Sequence, residues 1–446
     1  MSSVLTADES SFQKAKSRGA LVAYKAAADM VAKLSLLALT VVAARRLTPA
    51  AFGVFSLGST LGWMAAVGAD FGIQLHLARA AARAPQDAAR LLGVWLRVRF
   101  WTAAGALVVV VLGVAGAQPD AHNAGPIVLL ALVYAVGGLI EFLNYLYRGL
   151  SRSDIESSLT IWQRALTLVC GLVALAWRPS VPALALAMLV PAVATLVVSL
   201  RIARRLAGDV ARPFQGREGG AESPALQSAG LKAGGLTEFR RDVAPIGAGI
   251  LLSALYFRID VFLVQLWAGT ESVALYNAVF RVIEGLRLFP AAALAVALPG
   301  LCLARDLRPL ARVSVGLLAS ACAATAILWA TADWLVPLLF GERYTAAVPS
   351  FRILLLSFPL LSLNYALTHQ LIGWDGQRAY VAICAAALVA NVALNTRLIP
   401  TLSIDGAAWA TLGTEVVVTA GCVIALARTS ANRSIGDRVF ADLVLG

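Results

Sequence analysis

The stretch Tyr24–Ala44, YKAAADMVAKLSLLALTVVAA, carries two lysines and an aspartate at its start and no further charge. A run of about 20 predominantly apolar residues is what a helix needs to cross a ~30 Å hydrocarbon core. Lys25, Asp29 and Lys33 recur every four residues, so on a helix they share a stripe about 80° wide. The stretch therefore reads as a membrane span with a charged face. Working outward, this first span covers 20–44, and similar runs recur at 52–76, 94–117, 125–147, 158–178, 181–203, 242–267, 273–299, 310–331, 349–371, 379–398 and 404–427. The chain is 59% hydrophobic and only 14% charged, against about one quarter charged in soluble domains. The expectation is an all-α polytopic membrane protein with about twelve transmembrane helices. The first run is too long for the h-region of a cleaved signal peptide and leads straight into further spans.

Lysine and arginine counts set the expected orientation. Both termini and the even-numbered connections hold 23 basic residues, and the odd-numbered connections hold five: Arg45, Arg46, Arg178, Arg343 and Arg397. Both ends of the chain are accordingly expected in the cytoplasm, with Arg45 and Arg46 as exceptions to the pattern. The net charge of +12 lies mostly in cytoplasmic connections, where it favours anionic lipid headgroups. It gives no sign of nucleic-acid binding. The five cysteines, Cys170, Cys302, Cys322, Cys384 and Cys422, all sit in apolar runs with no CxxC pair, so they read as small buried hydrophobes. The three histidines are scattered; neither a metal site nor a cofactor is expected.

One long polar segment interrupts the pattern. Residues 205–241, rich in Gly, Ala and Ser, read as a flexible cytoplasmic linker between an N-terminal six-helix lobe (1–204) and a C-terminal one (242–446). Span 1 leads into RRLTPAAFGVFSLG and span 7 into LWAGTESVALYNAV, with Phe52–Phe55 aligned on Val273–Tyr276 at an offset of 221 residues. Lobes of six spans each share one orientation, as in transporters built from parallel repeats. A substrate site is expected at the seam between them.

Nine basic residues fall inside spans: Lys25, Lys33, Arg97, Arg99, Arg164, Arg258, Arg281, Arg287 and Arg352. Six acids accompany them: Asp29, Asp70, Glu141, Asp260, Glu284 and Glu415. Left facing lipid, they would cost at most roughly 40 kcal/mol, at ~2.5–3.5 kcal/mol per charge near the bilayer centre. Most must therefore face one another or water, which predicts a hydrated cavity with a positive excess. Arg281, Glu284 and Arg287 share one helix face, as do Glu141, Asn144, Tyr145 and Arg148. Arg258 and Asp260 point about 200° apart and cannot serve one site. Arg97 and Arg99, close to the cytoplasmic end of span 3, read as anchors; Glu415, Asn391 and Asn395 read as helix-packing polar groups. Lys25 and Lys33 are expected to meet a ligand at successive depths, with Asp29 holding both when the site is empty. Asp70 and Glu141, less tied up than Asp29 or Glu284, are the candidate ion carriers.

At these residues a family resemblance emerges. The segments ARRLTPAAFGVFSLGSTLG, ADFGIQLHLARAA, YFRIDVFLVQLWAGTESVALYNAVFRVIE and LVPLLFGERYTAAVPSFRILLLSFPLLSLN resemble those of Wzx-type polysaccharide flippases. That group belongs to the multidrug/oligosaccharidyl-lipid/polysaccharide (MOP) exporter superfamily. The resemblance covers nearly the whole chain. It implies a MATE/MOP-like fold in a bacterial inner membrane and alternating access of two lobes, usually coupled to an ion gradient. The implied cargo is an undecaprenyl-pyrophosphate-linked oligosaccharide carried from the cytoplasmic to the periplasmic leaflet. Membrane lipids, and the polymerase and chain-length regulator of the same pathway, are the implied partners. Lys33 stands twelve residues before Arg45, the spacing of a basic residue in related lipid II flippases; either Arg281 or Arg287 corresponds to their basic residues in span 8. The substrate-binding set is thus Lys25, Lys33, Arg258, Arg281 and Arg287, with Asp29, Asp70, Glu141, Asp260 and Glu284 as supporting or coupling acids. A drug antiporter of the same superfamily should instead favour an acidic cavity. A membrane polymerase or ligase should carry a sizeable outer loop and a catalytic constellation, and the sequence offers neither. The chain is read as a transporter, not an enzyme.

Overall fold

The computed structural model describes residues 2–117, 121–215, 244–303 and 307–445, and no strand occurs among them. Its helices are α1 (Ser2–Arg46), α2 (Pro49–Asp70), α3 (Ile73–Arg83), α4 (Ala88–Ala117), α5 (Ala121–Gly149), α6 (Ser153–Trp177), α7 (Val181–Gln215), α8 (Ala244–Leu286), α9 (Leu288–Leu303), α10 (Arg308–Ala330), α11 (Ala332–Phe340), α12 (Val348–Gly373) and α13 (Gln377–Leu445).

Among the described residues, ten helices are long and apolar enough to cross a membrane, and two of them, Ile246–Leu294 and Gln377–Ala431, have 49 and 55 residues. Each of these two contains one non-helical residue, Gly269 (φ 82°, ψ 176°) and Ser403 (φ 52°, ψ −130°). The chain doubles back at both. The Tyr276 hydroxyl donates to the Asp260 carboxylate sixteen residues earlier, a separation that a straight helix would stretch to ~24 Å. Asn391 Nδ2 likewise donates to Thr414 Oγ1 at 3.1 Å across the second reversal. Counting each long helix as two arms gives the twelve expected crossings.

Several boundaries depart from the sequence reading. Span 2 ends at Asp70, not at residue 76. Phe71 and Gly72 take left-handed φ of 38° and 86°, and the Asp70 carboxylate accepts the backbone N–H groups of Gly72 and Gln74 at 3.2 and 3.1 Å. That side chain caps a new amphipathic helix, α3, whose Ile73, Leu77 and Ala81 are buried at helical spacing. Helix α6 begins at Ser153 and so takes Glu156 into its first turns. Helix α7 runs on to Gln215, into the stretch read as linker; residues 216–243 lie outside the described residues. The eighth span breaks at Arg287, between α8 and α9. Pro290 explains this, because it lacks an N–H and its ring clashes with the carbonyl of Leu286. A second intrahelical proline, Pro359 in α12, frees the carbonyl of Leu355, which accepts the Thr325 hydroxyl of α10 at 3.1 Å.

Packing is asymmetric along the molecule. At one end a single buried cluster unites both halves, including Leu39, Phe52 and Leu184 with Val264, Tyr276, Phe340 and Phe351. At the other end the core separates into a cluster drawn only from residues 73–207 and another drawn only from 294–426. The halves remain joined along α2 and α8: a Cβ on Gly53 would lie 2.1 Å from Thr270 O, and one on Gly247 2.5 Å from Phe71 O. Glycine is required at both approaches.

Side chains lock the united end. Arg45, at the end of α1, donates Nε to Leu339 O at 2.8 Å and Nη2 to Leu338 O, the last carbonyls of α11. Arg343 reciprocates, donating Nη2 to Arg45 O at 2.7 Å and Nη1 to Leu47 O at 3.1 Å. The buried Tyr344 hydroxyl adds a bond to Ala44 O at 3.3 Å. Helix C-termini present carbonyls without intrahelical partners and a partial negative charge, so a guanidinium is well matched to them.

Candidate functional site

Between the halves lie two adjoining chambers. One, of about 430 Å³, is lined by Lys33, Leu36, Leu37 and Thr40 of α1, Trp63 and Val67 of α2, and Tyr256, Phe257, Arg281, Glu284 and Arg287 from the broken eighth span and the arm before it. The other, of about 300 Å³, is lined by Ser59, Thr60 and Trp63 of α2, Tyr134 of α5, Gln163 and Arg164 of α6, and Arg258, Arg281 and Glu284 of α8. Leu36, Trp63, Arg281 and Glu284 face both, which makes them compartments of one cavity. Five cations (Lys33, Arg164, Arg258, Arg281 and Arg287) share its lining with a single carboxylate, Glu284.

Glu284 is shared by two arginines of its own helical hairpin. Arg281 Nη1 lies 2.6 Å from Oε2, the i, i+3 contact of one helix face, and Arg258 Nη1 lies 3.7 Å from Oε1. Arg258 is 2% exposed. It also donates to Asn277 Oδ1 at 3.0 Å and, across the seam, to Thr60 Oγ1 at 3.2 Å, with its guanidinium 4.8 Å from the centre of the Phe280 ring. Arg287, at the break made by Pro290, has its guanidinium 4.2 Å from the centre of the Phe257 ring. This cation–π contact orients the guanidinium without neutralising it. Lys33, Arg164 and Arg287 have no salt bridge to a carboxylate among the described residues. The cavity is therefore built around a positive excess, and its unneutralised charges are set on rigid helices that a dianionic ligand could bridge.

The remaining charged positions go elsewhere. Lys25 is not part of the cavity lining: its Nζ lies 2.7 Å from Glu156 Oε1 and 3.2 Å from Asp29 Oδ1. Arg148 joins the same cluster at 2.5 Å from Glu156 and 3.1 Å from Glu141, which also accepts Asn144 Nδ2 at 3.3 Å. The charged stripe of α1 thus divides, with Lys25 and Asp29 turned to a network with α5 and α6 and Lys33 facing the cavity. Asp70 caps α3 and lies 3.9 Å from Arg99 Nε. Arg99 is 0% exposed, so it is a buried partner inside the N-terminal half and not an anchor; α4 starts at Ala88, which sets Arg99 several turns deep. Asp260 points away from Arg258, as the helical geometry required, and accepts the Tyr276 hydroxyl and the Val261 N–H. Glu415 and Asn364 bond to each other at 2.7 Å, and Asn391 holds Asn395 and Thr414; these are packing contacts between neighbouring helices. Two participants escaped the sequence reading of the site. Glu156 sat outside the expected span 5, and without it Arg164 gave no pattern, because 158–177 holds no second charge.

Comparisons with known proteins agree with this architecture. Residues 21–302 match the family model described as polysaccharide biosynthesis protein. No curated protein matches the chain. Among solved structures, an inward-facing multidrug resistance MATE family transporter of the MOP superfamily is 14% identical with a TM-score of 0.68, covering 90% of this chain and 95% of its own. The lipid II flippase MurJ in an inward closed conformation is 9% identical, TM-score 0.65, covering 92% and 90%. A MOP superfamily transporter from Pyrococcus furiosus, whose binding pocket is of reverse polarity, is 13% identical, TM-score 0.58, covering 93% and 95%. At these identities the likeness is one of fold. The chain belongs to the polysaccharide biosynthesis protein family, and its fold is the one seen in the MATE transporter and lipid II flippase structures.

Proposed function

We propose that the protein is a flippase for a lipid-linked oligosaccharide. It would carry an undecaprenyl-pyrophosphate-linked glycan from the cytoplasmic to the periplasmic leaflet of a bacterial inner membrane. The observation that carries this reading is the ratio of five cations to one carboxylate in the inter-half cavity. A pyrophosphate diester bears two negative charges and cannot enter hydrocarbon without a replacement for its hydration shell. Lys33 and Arg287, in one chamber and without a salt bridge to a carboxylate among the described residues, would supply that replacement, while the lipid tail stays in the membrane. A drug antiporter shares the fold, but a lining this basic would repel a cationic drug.

In the expected orientation the united end of the core is periplasmic, and the cavity would be loaded from the cytoplasm, where the lipid-linked glycan is made. Coupling to an ion gradient is part of the proposal, with Asp70 and Glu141 as the carboxylates to examine.

The test is export in a strain that depends on this protein. Lys33→Ala should abolish glycan export at normal protein levels, and Lys33→Arg should retain part of it. Because Asp29 is paired with Lys25 and not with Lys33, adding Asp29→Asn should rescue nothing. Restored export in the double variant would mean that the stripe is an ion-pair ladder and would remove Lys33 from the substrate site.

A further inference from the structure

The charge in the cavity exceeds what a pyrophosphate requires, and the surplus is placed apart from it. Lys33 and Arg287 face the larger chamber; Arg164 faces only the smaller one. Arg164 makes no salt bridge among the described residues, and its Nε is buried without a hydrogen-bond partner. Two further groups on the same chamber are buried without a hydrogen-bond partner: Ser59 Oγ, on a residue 1% exposed, and Arg258 Nη1, on a residue 2% exposed, whose one ionic contact among the described residues is Glu284 Oε1 at 3.7 Å. A buried donor left without a partner costs free energy unless a ligand or water completes it. The rest of the wall joins the indole of Trp63 to the polar side chains of Gln163 and Thr60. An aromatic face bordered by hydroxyl-binding groups is the chemistry that recognises a pyranose, and an arginine fork is the chemistry that recognises a carboxylate.

We propose that the chamber behind Trp63 is a glycan subsite that takes an acidic sugar, a uronate-type residue whose carboxylate is bound by Arg164. This rests on the flippase reading and sharpens it by naming the class of glycan. The ordering is consistent with loading. The pyrophosphate is tethered to the lipid and stays in the chamber of Lys33, while the sugars enter further, towards the united end.

The experiment uses full-length protein in liposomes and two matched probes, short polyprenyl-pyrophosphate oligosaccharides differing only in a glucuronate or a glucose near the reducing end. Binding is measured for wild type, Arg164→Gln and Arg164→Lys, each checked for folding by its melting temperature. Wild type should prefer the acidic probe by about tenfold or more. Arg164→Gln should erase most of that preference, losing far more affinity for the acidic than for the neutral probe, and Arg164→Lys should keep part of it. Equal losses on both probes in Arg164→Gln would place Arg164 on the pyrophosphate and overturn the subsite. Equal binding of both probes by wild type would overturn it while leaving the flippase reading standing. Binding of neither would overturn both.

Discussion

Removing Arg343 should open the united end of the molecule. Its guanidinium donates to Arg45 O at 2.7 Å and Leu47 O at 3.1 Å, joining a C-terminal-half turn to the end of α1. Bonds from a charged donor are worth about 1.5–3 kcal/mol each when well shielded, and neutral ones about 1. Arg343 is exposed and water would replace its partners once the seam opened, so about 0.5–1 kcal/mol per bond is the appropriate scale. Arg343→Ala should then cost the closed end about 1–2 kcal/mol, a factor of roughly 5–30 in the ratio of closed to open populations. Spin labels at Ala50→Cys and Glu342→Cys, in a background without native cysteines, flank this seam. Their distance distribution should gain a longer component that wild type populates by the same factor less. Gly53→Ala should act in the same direction, because its Cβ would meet Thr270 O at 2.1 Å and the seam must part to admit it. An unchanged distance distribution in both variants, at unchanged melting temperature, would refute the latch.

Two further outcomes follow from the charged groups. Asp70→Asn should leave the buried Arg99 charge without the carboxylate that lies 3.9 Å from it, the one salt-bridge partner it has among the described residues, a loss of about 3–5 kcal/mol, read as a fall in melting temperature and in folded yield. A well-folded Asp70→Asn protein that has lost only gradient dependence in vesicles would instead assign Asp70 to coupling. For topology, a reporter inserted within 212–235 should be cytoplasmic and one at Thr270–Glu271 periplasmic; the reverse result would invert the direction assigned to transport.

The parts of the fold legible in the sequence are those set by local composition. Hydropathy located the crossings because lipid imposes the same length and polarity on each of them. The reversals at Gly269 and Ser403 fall in the short gaps between predicted spans. Depth was harder to read. Moving the start of span 5 from 158 to 153 brings Glu156 into the helix, and moving the start of span 3 from 94 to 88 turns Arg99 from an anchor into a core residue. Partners were harder still. Lys25 and Lys33 occupy one stripe on a helical wheel, yet α6 presents Glu156 to the first and nothing acidic to the second. Spacing along one helix carries no information about what a neighbouring helix offers. The break at Arg287 was legible in principle, from Pro290, but a proline in an apolar run is tolerated in membrane helices often enough to leave it ambiguous.

The exceptions to the charge rule turn out to be informative. Basic residues avoid the outer connections of membrane proteins, and in the expected orientation Arg45 and Arg343 are two of the five that do not. Both spend their donors on carbonyls of the opposite half: Arg45 on Leu338 and Leu339, Arg343 on Arg45 and Leu47. A lysine has no planar fork and would address two such carbonyls less well, which fits arginine at both positions. The same bonds can exist only while α1 and α11 are in contact, so they favour one conformation over the other. Under the proposed function, an anionic glycan leaving through this end would do so when those two guanidiniums are released from their carbonyls. They would then be free cations at the exit. Closing the seam again returns them to the helix ends and removes that attraction, which favours release of the anion over its retention.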